Sequence, residues 1–327
     1  MTTRAPRWLA EVIAWVGALV LVGGIVGAWS MRGADSRVEA QAETPVVSEV
    51  HEVHTRVPVP TTTKVPAKAP ARRTTKAAMI PELGPPPGPQ YDPPPARTAA
   101  PEQRFAFLAG ITNYRAPTHD TIGAANDVRF IAAMLERNGW LPENIRVVTD
   151  EQATGSAIRS GLAWLAGKST PGTFTFFHYS GHVKQAGSTE KLWPVDRSFI
   201  NDSELGDLLS RGSGKLWVDI AGCEAGGFMG GLPSSRVLFS GSSRSDQKSY
   251  EYPQWGESIW TGLLFDIGTG QGGADADKNG RVTMGEALRY ASYYAHAITR
   301  GQRPYGPQVP QVAGDEIRGW TLADPPA

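Results

Sequence analysis

A histidine and a cysteine, each set beside glycine at the end of an apolar run, are the residues in this sequence best suited to covalent chemistry. The run TFTFFH (173–178) leads into Tyr179-Ser180-Gly181-His182, and KLWVDI (215–220) leads into Ala221-Gly222-Cys223. A thiol becomes a strong nucleophile as its thiolate, and a neighbouring imidazole favours that form by taking the proton and pairing with the charge. Gly181 and Gly222 leave the local backbone unobstructed, so the N–H groups of Gly181 and Cys223 are candidate donors to an oxyanion formed when the thiolate attacks a carbonyl. Each residue alone also reads as a packing residue, a small buried cysteine or a hydrogen-bonded core histidine. The paired placement is what points to chemistry. No G-x-S-x-G elbow occurs anywhere in the chain, which argues against a serine hydrolase. Cys223 is the only cysteine, so an intrachain disulfide and a multi-cysteine zinc site are both excluded.

A second cluster lies at 275–286, reading DADKNGRVTMGE. Asp275, Asp277, Asn279, Thr283 and Glu286 occupy positions 1, 3, 5, 9 and 12 of a calcium loop, with Gly280 at the sharp turn and Arg281 offering its carbonyl at position 7. A hard cation needs several oxygens at short range, and this spacing supplies them. The same residues have a metal-free reading: Thr283-Met284-Gly285-Glu286 is a capping box that starts a helix. The glycine-rich 268–273 segment is also unlike the helix that normally enters such a loop.

For the thiol and imidazole to meet, their two strands must be neighbours with their carboxyl ends at one edge, where ligands bind in open α/β sheets. The pattern allows this. Strands are expected at 105–111, 145–148, 173–178, 215–220 and 236–240, and helices at 124–138, 156–166, 201–210, 259–265 and 283–298. Strands alternating with helix-length segments predict an α/β domain, with a mostly parallel sheet flanked by helices on both faces.

The 327 residues divide into three zones. Residues 1–33 contain a twenty-residue uncharged run, 12–31, that spans roughly 30 Å as a helix, flanked by Trp15 and Trp29. This predicts a transmembrane anchor, with a cleaved signal peptide as the alternative, and an extracytoplasmic or secreted remainder. Residues 34–103 are proline-rich, densest at 81–95, and read as an extended or disordered linker. Residues 104–327 are the globular domain. Lysine plus arginine equals aspartate plus glutamate, 32 against 32, and neither the first hundred residues nor the domain is strongly basic. Nucleic acid is therefore not an expected partner.

Several segments of the chain resemble those of a known family. His178-Tyr179-Ser180-Gly181-His182 resembles the H-Y-S-G-H segment of metacaspases and bacterial caspase-like peptidases, and Asp219 to Phe228 (DIAGCEAGGF) is similar to their cysteine segment. Gly110 to Tyr114, Gly123 to Asp127 and Trp193 to Asp196 match further signatures in order. The resemblance implies a caspase-like fold and a cysteine endopeptidase that cleaves protein or peptide substrates with a His182/Cys223 dyad. It further implies an acidic pocket for an arginine or lysine before the cut, to which Asp127 and Ser180 correspond. The family's aspartate two residues before the nucleophile is Ala221 here. Asp219 is the nearest acid on that face of the strand, about 6–7 Å deeper. The rival reading is a catalytically silent sensor or scaffold of the same fold, switched by calcium or a partner.

Overall fold

The computed structural model describes residues 99–232, 235–314 and 317–322. The apolar run 12–31 and almost all of the linker lie outside the described residues. Among those described, no helix is long and apolar enough to cross a membrane.

Short, nearly continuous apolar runs build the sheet. The strands β1 (Arg104–Gly110), β2 (Ile145–Thr149), β3 (Phe174–Ser180), β7 (Lys215–Ala221), β8 (Val237–Gly241) and β11 (Gln311–Ala313) lie in the order β11-β8-β7-β3-β1-β2. All neighbours run parallel except β11, which is antiparallel to β8. In register, Ala106, Phe176, Trp217 and Leu238 point to one face, and Phe107, Phe177, Val218 and Phe239 point to the other. Both faces are therefore apolar, as a parallel sheet covered on both sides requires.

Helix α1 (Ala124–Arg137) covers the first face with Val128, Ile131 and Leu135. It is joined there by the helical stretch α4 (Ile259–Thr261), continued as a π-helix over Gly262–Gly270, and by α5 (Met284–Thr299). Helices α2 (Gly155–Lys168) and α3 (Asp202–Ser210) cover the second face through Ile158, Leu162, Leu205 and Leu209. Thr154, Asn201 and Thr283 cap α2, α3 and α5 by accepting backbone N–H groups, so these helices begin where the sequence pattern places them.

The alternation did not reveal a small antiparallel sheet between β3 and α3. It comprises β4 (Val183–Ala186), β5 (Thr189–Leu192) and β6 (Ile200–Asn201). A two-stranded ribbon, β9 (Glu251–Tyr252) with β10 (Glu257–Ser258), follows β8. These short pieces carry too few residues for a periodic signal, yet both border the carboxyl edge of the sheet.

Candidate active site

Strands β3 and β7 are direct neighbours, with Ser180 opposite Ala221. The pairing extends one step further, because the Gly181 N–H donates to the Ala221 carbonyl at 3.1 Å. Gly222 in turn lies against the chain at 181–183, where a side chain on it would meet the Gly181 carbonyl. His182 and Cys223 thus leave adjacent strand tips at the same edge. The same bond corrects one expectation. The Gly181 N–H is spent on the ladder and does not face an incoming oxyanion. Around the cysteine, the N–H groups of Gly222, Glu224, Ala225 and Gly226 all have partners, whereas that of Cys223 has none among the described residues.

Two tyrosines set the position of His182. The Tyr114 hydroxyl accepts the His182 N–H at 2.9 Å, and the Tyr179 hydroxyl lies 2.8 Å from the His182 carbonyl. The Tyr114 ring packs on the imidazole at 4.6 Å between centroids. Gly181 passes between these hydroxyls with φ +153°, and a Cβ there would lie 2.6 Å from the Tyr114 oxygen. This is a position where only glycine fits. At the far side of the ring, His182 Nε2 lies 2.7 Å from the His119 carbonyl. A carbonyl only accepts, so Nε2 carries the hydrogen and Nδ1 keeps its lone pair.

The Cys223 sulfur is half-buried and receives the Ser249 N–H at 3.5 Å. Burial pushes its thiol up, while that hydrogen bond and the Lys248 ammonium pull the other way. Burial also pushes the His182 imidazole down, against the His119 hydrogen bond. Both shifts favour a resting pair of neutral thiol and neutral imidazole. Glu224, beside the cysteine with φ +55°, is held by Lys248 at 2.6 Å, so the two charges nearest the sulfur largely offset one another.

The pocket residues separate. Asp127 and Ser180 come together: the Ser180 hydroxyl donates to Asp127 Oδ2 at 2.6 Å, and the Ser258 N–H donates to Oδ1 at 3.1 Å. Asp219 does not join them. It lies fully buried beneath the strand end, taking the Trp260 indole N–H at 2.9 Å and the Ser240 hydroxyl, with His178 Nδ1 at 2.8 Å. The pairing partner His178 on β3 and the helix behind β7 close over it, and the β3–β7 register is unbroken from Phe174 to Ser180. Asp219 is a member of a core network rather than a pocket residue.

In its stead, two carboxylates that the sequence reading overlooked approach Asp127 from the β9–β10 ribbon. Burial first, then Glu257 and more weakly Glu251, push Asp127 up to about 8, against its hydrogen bonds from Ser180 and Ser258. Glu251 accepts the N–H groups of Ile122 and Gly123 at 2.7 and 2.8 Å, and burial raises it as well. Its charge also raises Cys223 and Tyr114, though as the weakest of the causes acting on each. No local pattern marks Glu251; only its sign, opposite to an arginine's, could have suggested it.

On the remaining side of His182 opens a cavity of about 440 Å³. In the calcium-type loop, Asp275, Asp277 and Glu286 offer carboxylate oxygens within 4.8 Å of one another. The Asn279 and Gly280 N–H groups turn onto Asp275, and the Arg281 N–H onto the Asn279 side-chain Oδ1. The capping box is complete too: Glu286 accepts the Thr283 N–H at 2.8 Å, and Thr283 accepts the Glu286 N–H at 3.2 Å.

A caspase-domain family model matches residues 103–266. Metacaspase-1 of Mycosarcoma maydis is 35% identical over 127 residues, covering 33% of this chain and 31% of that protein. Metacaspase-1 of Candida albicans is 36% identical over 130 residues, covering 33% and 29%. The chain thus spans about a third of the length of these curated relatives. A solved structure of a Geobacter sulfurreducens protein superimposes with a TM-score of 0.49 at 15% identity, covering 68% of this chain and 98% of that one. Matched across both strand tips and the helices that position them, the chain belongs to the caspase-domain family of cysteine peptidases.

Proposed function

We propose that this chain is an endopeptidase in which Cys223 attacks the scissile carbonyl and His182 moves the proton. The observation that carries the reading is the 2.7 Å contact from His182 Nε2 to the His119 carbonyl, on a ring that leaves a strand tip next to that of Cys223. It leaves Nδ1 as the basic nitrogen. In the proposed cycle the thiol proton passes to Nδ1 as sulfur bonds to the carbonyl carbon. The imidazolium then returns that proton to the leaving amine as the C–N bond breaks, and water hydrolyses the thioester. The Cys223 N–H is one oxyanion donor. Val183 supplies the second: Trp193 donates to the His182 carbonyl at 3.2 Å, which makes Val183 opposite Leu192 a non-hydrogen-bonded pair whose N–H points away from β5.

A basic residue before the cut is the proposed preference. What supports it is a group of carboxylates, Asp127 bonded to Ser180 with Glu257 and Glu251 acting on it from the β9–β10 ribbon, in which Glu251 would stand in for the acid absent at Ala221. Burial without a cation raises Asp127, and a guanidinium or ammonium would reverse that shift. The run 12–31 would anchor the peptidase in a membrane, the linker holding the domain away from it; extraction of the full chain by carbonate rather than detergent would argue against an anchor. Calcium would bind through Asp275, Asp277, Asn279, Arg281, Thr283 and Glu286; a melting temperature unmoved by calcium or chelator would leave the capping box as the loop's sole role.

The test is turnover of fluorogenic peptides ending in arginine, lysine or aspartate by the full chain, beside Cys223→Ala and His182→Ala. Cleavage after arginine and lysine, abolished by either substitution, is expected. Absence of turnover on every peptide would favour the silent scaffold, and cleavage only after aspartate would remove the basic preference.

A further inference from the structure

The cavity beside His182 has no carboxylate among its lining residues, but two cations, Lys184 and Arg197. Trp193, Phe199 and Pro117 supply apolar walls, and His182 itself forms the inner one. Both cations are exposed, and neither has an acidic partner within ion-pair distance among the described residues. They are nevertheless held in place. The Lys184 ammonium sits 5.2 Å from the Phe199 ring centroid and 5.8 Å from that of Trp193. Arg197, at φ +61°, donates to the Arg115 carbonyl at 3.3 Å. Side chains fixed over an apolar floor with their charges unmatched lose little further freedom when an anion arrives.

The direction of the substrate follows from the chemistry. The leaving amine must take its proton from His182, so the segment after the cut departs past the imidazole and into the space that ring borders. The carboxylates Asp127 and Glu251 do not line that cavity: Asp127 sits in the first turn of α1, and Glu251 accepts the Gly123 N–H just before it. We infer that the His182 cavity is a subsite for the first residues after the cut and selects an aspartate or glutamate there, its methylene stem on Trp193 and Phe199 and its carboxylate on Lys184 and Arg197. The enzyme would then read a charge pair across the scissile bond, basic before and acidic after. The inference rests on the peptidase reading.

The test uses internally quenched peptides with arginine fixed before the cut and glutamate, glutamine, lysine or phenylalanine in the two positions after it. Two exposed cations should favour glutamate over glutamine by about five- to tenfold in kcat/KM. The preference should shrink toward one as salt rises to about 0.5 M. In the Lys184→Gln/Arg197→Gln chain the ratio should fall close to one, and because it is a ratio within a single protein, any general loss of folding cancels. The same peptides are titrated uncut against full-length Cys223→Ala by fluorescence anisotropy. Equal binding and cleavage of the glutamate and glutamine peptides, a preference for phenylalanine, or a ratio unchanged in the double variant would each overturn the inference. Tighter binding of the glutamate peptide without cleavage by the wild type would overturn the peptidase reading and leave the subsite standing.

Discussion

Asp127→Asn should stabilise the domain while damaging its specificity, and the structure says by how much. Asp127 is fully buried, and its surroundings raise it from 3.8 to about 8. A raised carboxyl favours the fold fully below about 3.8, and that favour is lost as pH rises through about 8. At pH 8 the unfolded chain carries an ionised aspartate, whereas the folded one must hold a proton against the solution or bury a charge beside Glu257. At about 1.4 kcal/mol per unit, the whole interval corresponds to roughly 5–6 kcal/mol. Asparagine removes the titration and keeps the shape. Its carbonyl oxygen can accept the Ser258 N–H, and its amide can donate to the Ser180 hydroxyl once that rotates. Discounting for this rearrangement, a gain of about 2–4 kcal/mol at pH 8 is expected, or about 5–10 °C in melting temperature for a domain of this size. The gain should vanish toward pH 4. Thermal melts of the two full-length chains between pH 4 and 8.5 measure it directly. A variant less stable than wild type at pH 8, or a difference that does not change with pH, would refute the account of Asp127 as a buried acid awaiting a cation. In parallel, the variant's preference for arginine over neutral residues before the cut should drop by about tenfold.

Further outcomes follow from other contacts. With the imidazole pushed below 6.5 and the thiol above 9, kcat/KM should stay level through neutral pH and fall only below about 6.5, as His182 protonates and ceases to be a base; a rise in activity on acidification would contradict this. Gly181→Ala forces a Cβ onto the Tyr114 hydroxyl and should lower kcat/KM by about a hundredfold through displacement of His182, read in peptide turnover alongside an unchanged far-UV spectrum. Asp219→Ala strips acceptors from Trp260, Ser240 and His178 in the core and should cost about 3–5 kcal/mol in denaturant melts; loss of arginine preference at intact stability would instead return Asp219 to the pocket.

The sequence alone determined the layered α/β arrangement, the carboxyl-edge location of His182 and Cys223, and the two acceptable readings of 275–286. Those conclusions rest on local regularities, short apolar runs between helix-length segments, helical spacing and caps, which a chain displays regardless of what it packs against. The tertiary structure decided the rest. His119 offered no signal because its contribution is a carbonyl oxygen, which every residue type possesses. Gly181 looked like a free donor until strand pairing gave its N–H to Ala221. Asp219 was the right chemical type on the right face of the strand, but the cross-strand partners His178 and Ser240 claimed it. Glu251 reaches the start of α1 from 128 residues further along the chain. Which acid lines a pocket is settled by contacts between distant segments, and these depend on register and loop path, for which short ribbons such as β9–β10 leave no periodic trace.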